Sequence, residues 1–170
     1  GDYKTIVLSP STVQECINFT YKAFYLSQVY RNPVILLLDG LLGQMSEGAE
    51  ITKNPYPEID NSSWRLEGKG QRASREIHSL EPEQDVLNHH IALLNKKYAL
   101  LEKNEPSWEE YMCDDAEIII TAFGTMTRYA KAVCKQYRED GLKFGVFRPI
   151  TLYPFPYRRL RELSSKVKLE

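Results

Sequence analysis

The chain is expected to fold as an α/β protein: two small open parallel-sheet βαβ units joined by a long linker and a helix. Two stretches with the same grammar carry that expectation, residues 116–156 and residues 5–40, each an apolar strand run, an amphipathic helix and a second apolar run. The third observation is the abrupt change of composition between them, where Gly, Pro, Asn and Ser concentrate and no periodicity survives.

In chain order, Thr5 to Leu8 is a short strand. The turn Ser9-Pro10-Ser11-Thr12 follows and offers a helix start, because Ser11 with Gln14, or Thr12 with Glu15, has capping-box spacing. The helix runs to about Tyr30, with Val13, Cys16, Ile17, Thr20, Ala23, Phe24 and Ser27 as its mostly apolar face. Asn32-Pro33 ends it before the aliphatic run Val34 to Leu38. That strand delivers Asp39-Gly40 at its carboxyl end, the edge of a parallel sheet where ligands and partner surfaces sit. Leu41 to Ser46 makes a helical turn beyond it.

Residues 47–80 read as an interdomain linker. Within it Arg65, Lys69, Arg72 and Arg75 flank Gly68 and Gly70, which suggests a solvated basic connector or, alternatively, a loop that holds a phosphate or carboxylate. No Walker lysine-serine pair follows these glycines and GxGxxG is absent, so a self-contained nucleotide site is not expected. Pro82 to Asn104 is a long helix in which Leu87, Ile91, Leu94, Tyr98 and Leu101 repeat at four and three, a stripe expected to pack across a domain or subunit boundary. His89 and His90 point about 100° apart and have no ligand-patterned carboxylate. Glu105 to Asp115 reads as an acidic connector.

Ala116 to Ala122 is rich in β-branched residues and too continuous for a half-exposed strand. After Gly124, the spacing of Met126, Ala130, Val133, Cys134 and Tyr137 gives an apolar helix face, with Arg128, Lys131, Lys135 and Arg138 in water; Gly141 stops the helix. Leu142 to Phe147 is the second strand, and a right-handed crossover joins it to the first. Arg148 to Pro156 leaves the sheet in a proline-studded exit, and Tyr157 to Val167 is a basic amphipathic helix with Pro156 at its first turn.

With 42% hydrophobic and 26% charged residues the chain can bury a core, and its net charge of −1 argues against a basic nucleic-acid surface. No apolar stretch approaches the roughly 18 residues of a membrane span. Neither nucleic acid nor membrane is an expected partner. Three cysteines without CxxC spacing read as buried thiols of a reducing cytoplasm. The chain opens without a signal peptide or initiator Met and closes on Lys168-Leu169-Glu170, so it reads as an excised piece whose last two residues could be a vector scar. The inventory lacks GxSxG, HExxH, paired carboxylates and a Cys–His pair, and no complete active site is expected. The best-placed polar residues are Asp39 and Gln44 at one strand's carboxyl end, and Gly124 with Thr125 at another, where free amides could meet an anion or simply start a helix.

Residues 6–45, IVLSPSTVQECINFTYKAFYLSQVYRNPVILLLDGLLGQM, resemble the second half of the pyrimidine-binding domain in α subunits of 2-oxoacid:ferredoxin oxidoreductases. Residues 116–156 are similar to that family's next domain, which has the transketolase C-terminal fold, with RPITLYPFP as the most specific segment. The RNPV, DGLLGQM and LEKNE elements look most like the 2-oxoisovalerate, or branched-chain, type, with pyruvate and 2-oxoglutarate relatives sharing the outline. The resemblance implies four segments: 1–48 from the pyrimidine-binding domain, a linker at 49–81, a connecting helix at 82–104, and a transketolase C-terminal-like domain at 105–170.

It further implies oxidative decarboxylation of a 2-oxoacid to its acyl-coenzyme A in a cytoplasmic hetero-oligomer. Thiamine diphosphate with Mg stabilises the carbanion and iron-sulfur clusters pass electrons to ferredoxin, all held mainly outside this chain. The implied partners are a thiamine-binding β subunit, a γ subunit, a ferredoxin-like δ subunit and ferredoxin, with CoA and the 2-oxoacid as substrates. The family's YPITP-type segment, cofactor-activating glutamate and substrate-binding arginine precede the stretch matched here, so no catalytic residue and no metal ligand is assigned and the isolated chain is expected to be inactive. What the resemblance leaves are Asp39 and Gln44 near the edge of the cofactor domain, and Arg148, Pro149, Pro154, Phe155 and Pro156 at a domain or subunit interface. A β-type subunit of a thiamine-dependent 2-oxoacid dehydrogenase, a transketolase, and a noncatalytic interaction module are the alternatives.

Overall fold

The computed structural model describes residues 3–75 and 82–165; the end of the linker, the C-terminal part of the last helix expected from the sequence, and Leu169-Glu170 lie outside them. The elements are β1 (Ile6–Leu8), α1 (Val13–Tyr30), β2 (Val34–Leu36), α2 (Gly40–Gln44), α3 (Gln84–Asn104), β3 (Trp108–Tyr111), β4 (Ile118–Thr121), α4 (Met126–Glu139), β5 (Phe144–Pro149), β6 (Thr151–Tyr153) and α5 (Tyr157–Ser164). Two open three-stranded sheets result, ordered β2-β1-β6 and β3-β5-β4.

Each sheet contains the expected parallel pair, β1 with β2 and β4 with β5. Each also carries an antiparallel strand that the sequence reading did not provide. The acidic connector forms β3 against β5, with Glu109 opposite Arg148, and the proline-studded exit forms β6 against β1. Thus the chain leaves the second sheet at Pro149, crosses at Ile150 and closes an edge of the first. Ser107 fixes the crossing, its carbonyl accepting from the amides of Ile150 and Thr151. Pro149 and Pro154, the latter after a cis peptide bond, bracket a β6 of only three residues.

The first core gathers Ile6 and Leu8 of β1, Leu26 of α1, and Tyr98 and Leu101 of α3. The helix after the linker therefore packs with α1 against β1, through Leu94, Tyr98 and Leu101, while Ile91 is 45% exposed. In α1 the inward face is Phe19, Ala23, Leu26 and Tyr30, rotated from the expected one, and Phe24 is 68% exposed. The rotation has a visible cause. The linker covers the opposite side of α1, where the Tyr21 hydroxyl donates to the Thr52 carbonyl and Tyr25 stacks on Tyr56 at 4.8 Å, so α1 has two contact faces and no single apolar stripe.

In the second unit, Phe147, Cys113 and Leu163 form a small core supported by Ile119 and Leu160. Here α4 corrects the expectation. Its buried residues are Thr127 and Cys134, whereas Met126, Val133 and Tyr137 of the expected apolar face are exposed. Lys131 and Arg138, expected in water, share the inward side: Lys131 Nζ reaches Glu109 at 2.5 Å, and Arg138 donates to the carbonyls of Met112 and Phe144 and to Asp115. Partners supplied by β3 and β5 make these cations inward-facing, which apolar spacing cannot report. Gly141, at φ +85, ends the helix in a Schellman arrangement, with the Leu142 amide on the Tyr137 carbonyl and the Gly141 amide on that of Arg138.

The packing of α3 sets an expected contrast. Leu101→Ala, at a fully buried position, should lower stability by about 2–5 kcal/mol, and Ile91→Ala by less than about 1 kcal/mol, as read from chemical denaturation; equal losses would mean that α3 packs in another register.

Candidate functional site at the junction of the two sheets

The carboxyl ends of β2 and β4 meet where α2 and α4 begin, and Asp39 is the residue that joins them. Its Oδ1 accepts from the Leu42 amide at 2.9 Å and so caps α2. Its Oδ2 accepts from both the amide and the hydroxyl of Thr125, at 2.8 and 2.6 Å. These hydrogen bonds, the Thr125 hydroxyl first, pull the Asp39 carboxyl down to about 2. A carboxylate so held is ionised at neutral pH and is a poor proton donor or base. Gly124 permits the approach: it sits at φ +60, and a Cβ there would lie 2.7 Å from Asp39 Oδ2. Gln44, the last residue of α2, is exposed on the surface.

A second carboxylate fills the start of α1. Glu47 accepts from the Val13 amide at 3.1 Å and from Arg128 at 2.5 Å. The capping box of α1 uses Thr12, whose hydroxyl accepts from the Glu15 amide, while the Glu15 carboxylate reaches back to the Ser11 amide and hydroxyl.

That same Glu15 binds Arg148. The Arg148 side chain is 3% exposed; its Nη1 donates to Glu15 Oε1 at 2.8 Å and Glu109 Oε2 at 3.1 Å, and its Nη2 to Glu15 Oε2 at 2.6 Å and the Ser9 carbonyl at 3.2 Å. Burial alone would push both carboxyls up, but hydrogen bonds from Arg148 and then Ser11 to Glu15, and from Lys131 and then Arg148 to Glu109, leave both below the ordinary range. The planar fork fits this role, since one group reaches the turn after β1, the first turn of α1, and β3 at once.

Pro149 closes β5 opposite Trp108, Pro154 and Pro156 are buried, and Phe155 packs against Tyr157 with ring centroids 4.6 Å apart. Beside them lies a groove of about 1060 Å³ lined in part by Trp108, Tyr153, Phe155, Tyr157 and Arg159. In the basic loop the guanidinium groups turn onto the loop itself. Arg72 donates to the Ala73 and Gly68 carbonyls, Arg75 to those of Arg65 and Ser62, and Arg65 pairs with Glu67. Sequence reasoning singled out Asp39, Thr125 and Arg148 but not the pairing of Asp39 with Thr125 or of Arg148 with Glu15 and Glu109. Thr125 lies 86 residues from Asp39, and Glu15 lies 133 residues from Arg148; only the Thr12–Glu15 capping spacing marked Glu15 locally.

Residues 1–115 match the family model described as pyruvate flavodoxin/ferredoxin oxidoreductase, thiamine diphosphate-binding, and residues 116–169 match pyruvate:ferredoxin oxidoreductase core domain II. The chain belongs to the 2-oxoacid:ferredoxin oxidoreductase family. Among its relatives, the ketoisovalerate oxidoreductase subunit VorB of Methanothermobacter marburgensis is 42% identical over 165 residues, covering 97% of this chain and 47% of the relative. The 2-oxoglutarate synthase subunit KorA of Methanocaldococcus jannaschii is 33% identical over 190 residues, covering 98% and 51%. The chain thus spans about half the length of the curated relatives it matches. A solved 2-oxoglutarate:ferredoxin oxidoreductase from Magnetococcus marinus shares the fold, with a TM-score of 0.71 at 21% identity over 99% of this chain and 34% of that one.

The junction between the family's two domains is thus crossed by the Arg148 and Asp39 networks. Arg148→Ala would leave Glu15 with Ser11 and Glu109 with Lys131 as their remaining partners and should cost about 1.5–3 kcal/mol, with Arg148→Lys recovering only part, measured by denaturant titration. The carboxyls of Asp39, Glu15 and Glu109 are all depressed in the folded state. Their contribution is therefore complete above the ordinary carboxylate range and disappears as pH falls toward about 2, the Asp39 value. Thr125→Val should move the Asp39 part of that acid transition to higher pH, seen by NMR titration of its carboxyl carbon.

Proposed function

We propose that the chain is part of the α subunit of a cytoplasmic 2-oxoacid:ferredoxin oxidoreductase that oxidatively decarboxylates a branched-chain 2-oxoacid such as 2-oxoisovalerate to its acyl-CoA. The single observation behind the substrate class is the 42% identity, across 97% of the chain, to a ketoisovalerate subunit, against 33% to a 2-oxoglutarate one. Pyruvate and 2-oxoglutarate are the substrates against which this reading is set. Residues 1–48 are assigned to the pyrimidine-binding domain, 49–81 to the linker, 82–104 to the connecting helix and 105–170 to the transketolase C-terminal-like domain.

Thiamine diphosphate with its metal supplies the carbanion stabilisation in such complexes, and iron-sulfur clusters the electron path. The edge at Asp39 offers a carboxylate already taking three hydrogen bonds and one exposed carboxamide, Gln44. That donor set does not make a thiamine site by itself, and no catalytic step runs through it. In this reading Asp39 shapes the edge of the cofactor domain and Gln44 is an exposed hydrogen-bonding group beside it. Arg148, Pro149, Pro154, Phe155 and Pro156 keep the two domains in register for the thiamine-binding β subunit, with γ and ferredoxin-like δ subunits completing the assembly. No described helix is long and apolar enough to cross a membrane.

The complex purified through this polypeptide should reduce an artificial electron acceptor with 2-oxoisovalerate and CoA at a kcat/KM at least about tenfold above that with pyruvate or 2-oxoglutarate, a gap of about 1.4 kcal/mol in transition-state stabilisation. A preference for either other acid would overturn the substrate assignment, and inactivity with all three the reaction class.

A further inference from the structure

The linker after α2 is bound to α1 along the whole of that helix. In chain order, the Glu47 carboxylate accepts from the Val13 amide. The Glu50 amide donates to Gln14 Oε1, and the Glu50 carbonyl accepts from Gln14 Nε2. The Thr52 carbonyl accepts from the Tyr21 hydroxyl, Tyr56 stacks on Tyr25, and the Arg31 guanidinium lies 5.2 Å from the centre of the Trp64 ring. These anchors climb α1 from its first residue, Val13, to its C-cap, Arg31. Residues 47–64 contain no helix or strand, so they form a strap, and the face it covers belongs to the same chain.

The strap is held at points. From Val13 to Arg31 the helix rises about 27 Å, whereas 17 residues of extended chain could reach about 56 Å, so roughly half of the strap is slack. Part of it arches over a recess of about 490 Å³ lined in part by Tyr21, Phe24, Tyr25, Gln28, Tyr56 and Asn61. Ile51 is 81% exposed, so this aliphatic residue contributes no packing, and the hydrogen bonds at Gln14 and Tyr21 are exposed. Segments with few buried apolar contacts and solvent-exposed hydrogen bonds open at a lower free energy than the whole fold. The anchors also support one another. When one lets go, the loop between its neighbours lengthens and closing that loop becomes costlier.

Glu47 joins this strap to the junction of the two sheets. Its second carboxylate oxygen accepts from Arg128 of α4 at 2.5 Å, and the same Nη1 reaches Met45 Sδ at 3.2 Å. One carboxylate thus belongs at once to the strap, to the start of α1 and to the first turn of α4.

We propose that residues 47–64 open from α1 as one cooperative unit and, through Glu47, carry that opening to the junction by freeing Arg128 of α4 while the cores stay folded. The proposal is independent of the substrate assignment above.

Amide hydrogen exchange of the purified chain, resolved by NMR, tests it. The Val13 amide reports the Glu47 end, the Glu50 amide the strap itself, and the Leu37 amide, which donates to the Leu8 carbonyl, the first core. Tyr56→Ala should quicken exchange at both Val13 and Glu50 by about two- to tenfold, the range an aromatic pair is worth, and leave Leu37 unchanged. Because coupling is reciprocal, Arg128→Ala on α4 should quicken Glu50 as well as Val13, by about 1.5- to fivefold for a partly exposed ion pair. Raising salt to about 0.5 M should quicken Val13 and Glu50 of the unaltered chain by one common factor, an outcome that no folding defect of a variant can obscure. Acceleration of Glu50 alone in Tyr56→Ala would show independent tethers and overturn the proposal. So would unequal salt factors, or an equal acceleration of Leu37, which would make the opening that of the whole unit.

Discussion

A guanidinium withdrawn from water must be given carboxylates, and the position of those carboxylates organises this protein. Arg148 stands where the chain is about to leave one sheet for the other, and its ligands come from both sides: Glu15 and the Ser9 carbonyl from the first unit, Glu109 from the second. The desolvation of such a group offsets much of its attraction to its partners. Its value is directional. A fork that must meet a carboxylate at the start of α1 and another on β3 tolerates few relative placements of the two sheets, whereas an apolar contact of equal area tolerates many. Leu8 and Phe147, both fully buried, can then pack in cores too small to fix their mutual orientation.

The helix starts at this junction follow a related rule. Free amides at a helix N-terminus attract negative charge, and here the chain answers with its own: Glu47 on α1, and Asp39 on α2 and at the start of α4. Positions that could have met a ligand anion are occupied internally. The parallel-sheet edge, where α/β proteins commonly bind ligands, has in this chain become a seam between domains.

Legibility in the sequence followed the range of the interaction concerned. The runs at Val34 and Ile118 and the stop at Gly141 declare themselves within a few residues, because strand and cap preferences are local. The β3 strand did not: Glu109 and Glu110 are tolerable there only because Arg148, Lys131 and Arg159 arrive from later in the chain. The β6 strand is hidden by the prolines around it, which argue against helix without announcing a three-residue pairing with β1. The inward faces of α1 and α4 were misjudged for one reason, since the linker covers α1 and polar partners bind Lys131 and Arg138. At the site, Asp39-Gly40 after an aliphatic run was a readable signal for a strand end and a cap. Its grip on Thr125 was not, and neither was the turning of Arg72 and Arg75 onto backbone carbonyls.

The return of the chain through β6 bears on how the protein is made. A ribosome delivers β1 and β2 more than a hundred residues before the strand that closes the free edge of β1, which emerges only with Thr151. At roughly 5–20 residues per second, the first sheet waits many seconds with a bare apolar border. Pairings so distant in sequence are slow to find, because the intervening loop must close before the contact returns any energy. The segment that carries β1 and β2 is therefore the stretch whose edge waits longest for a partner, and its maturation is tied to completion of the segment that ends in β6.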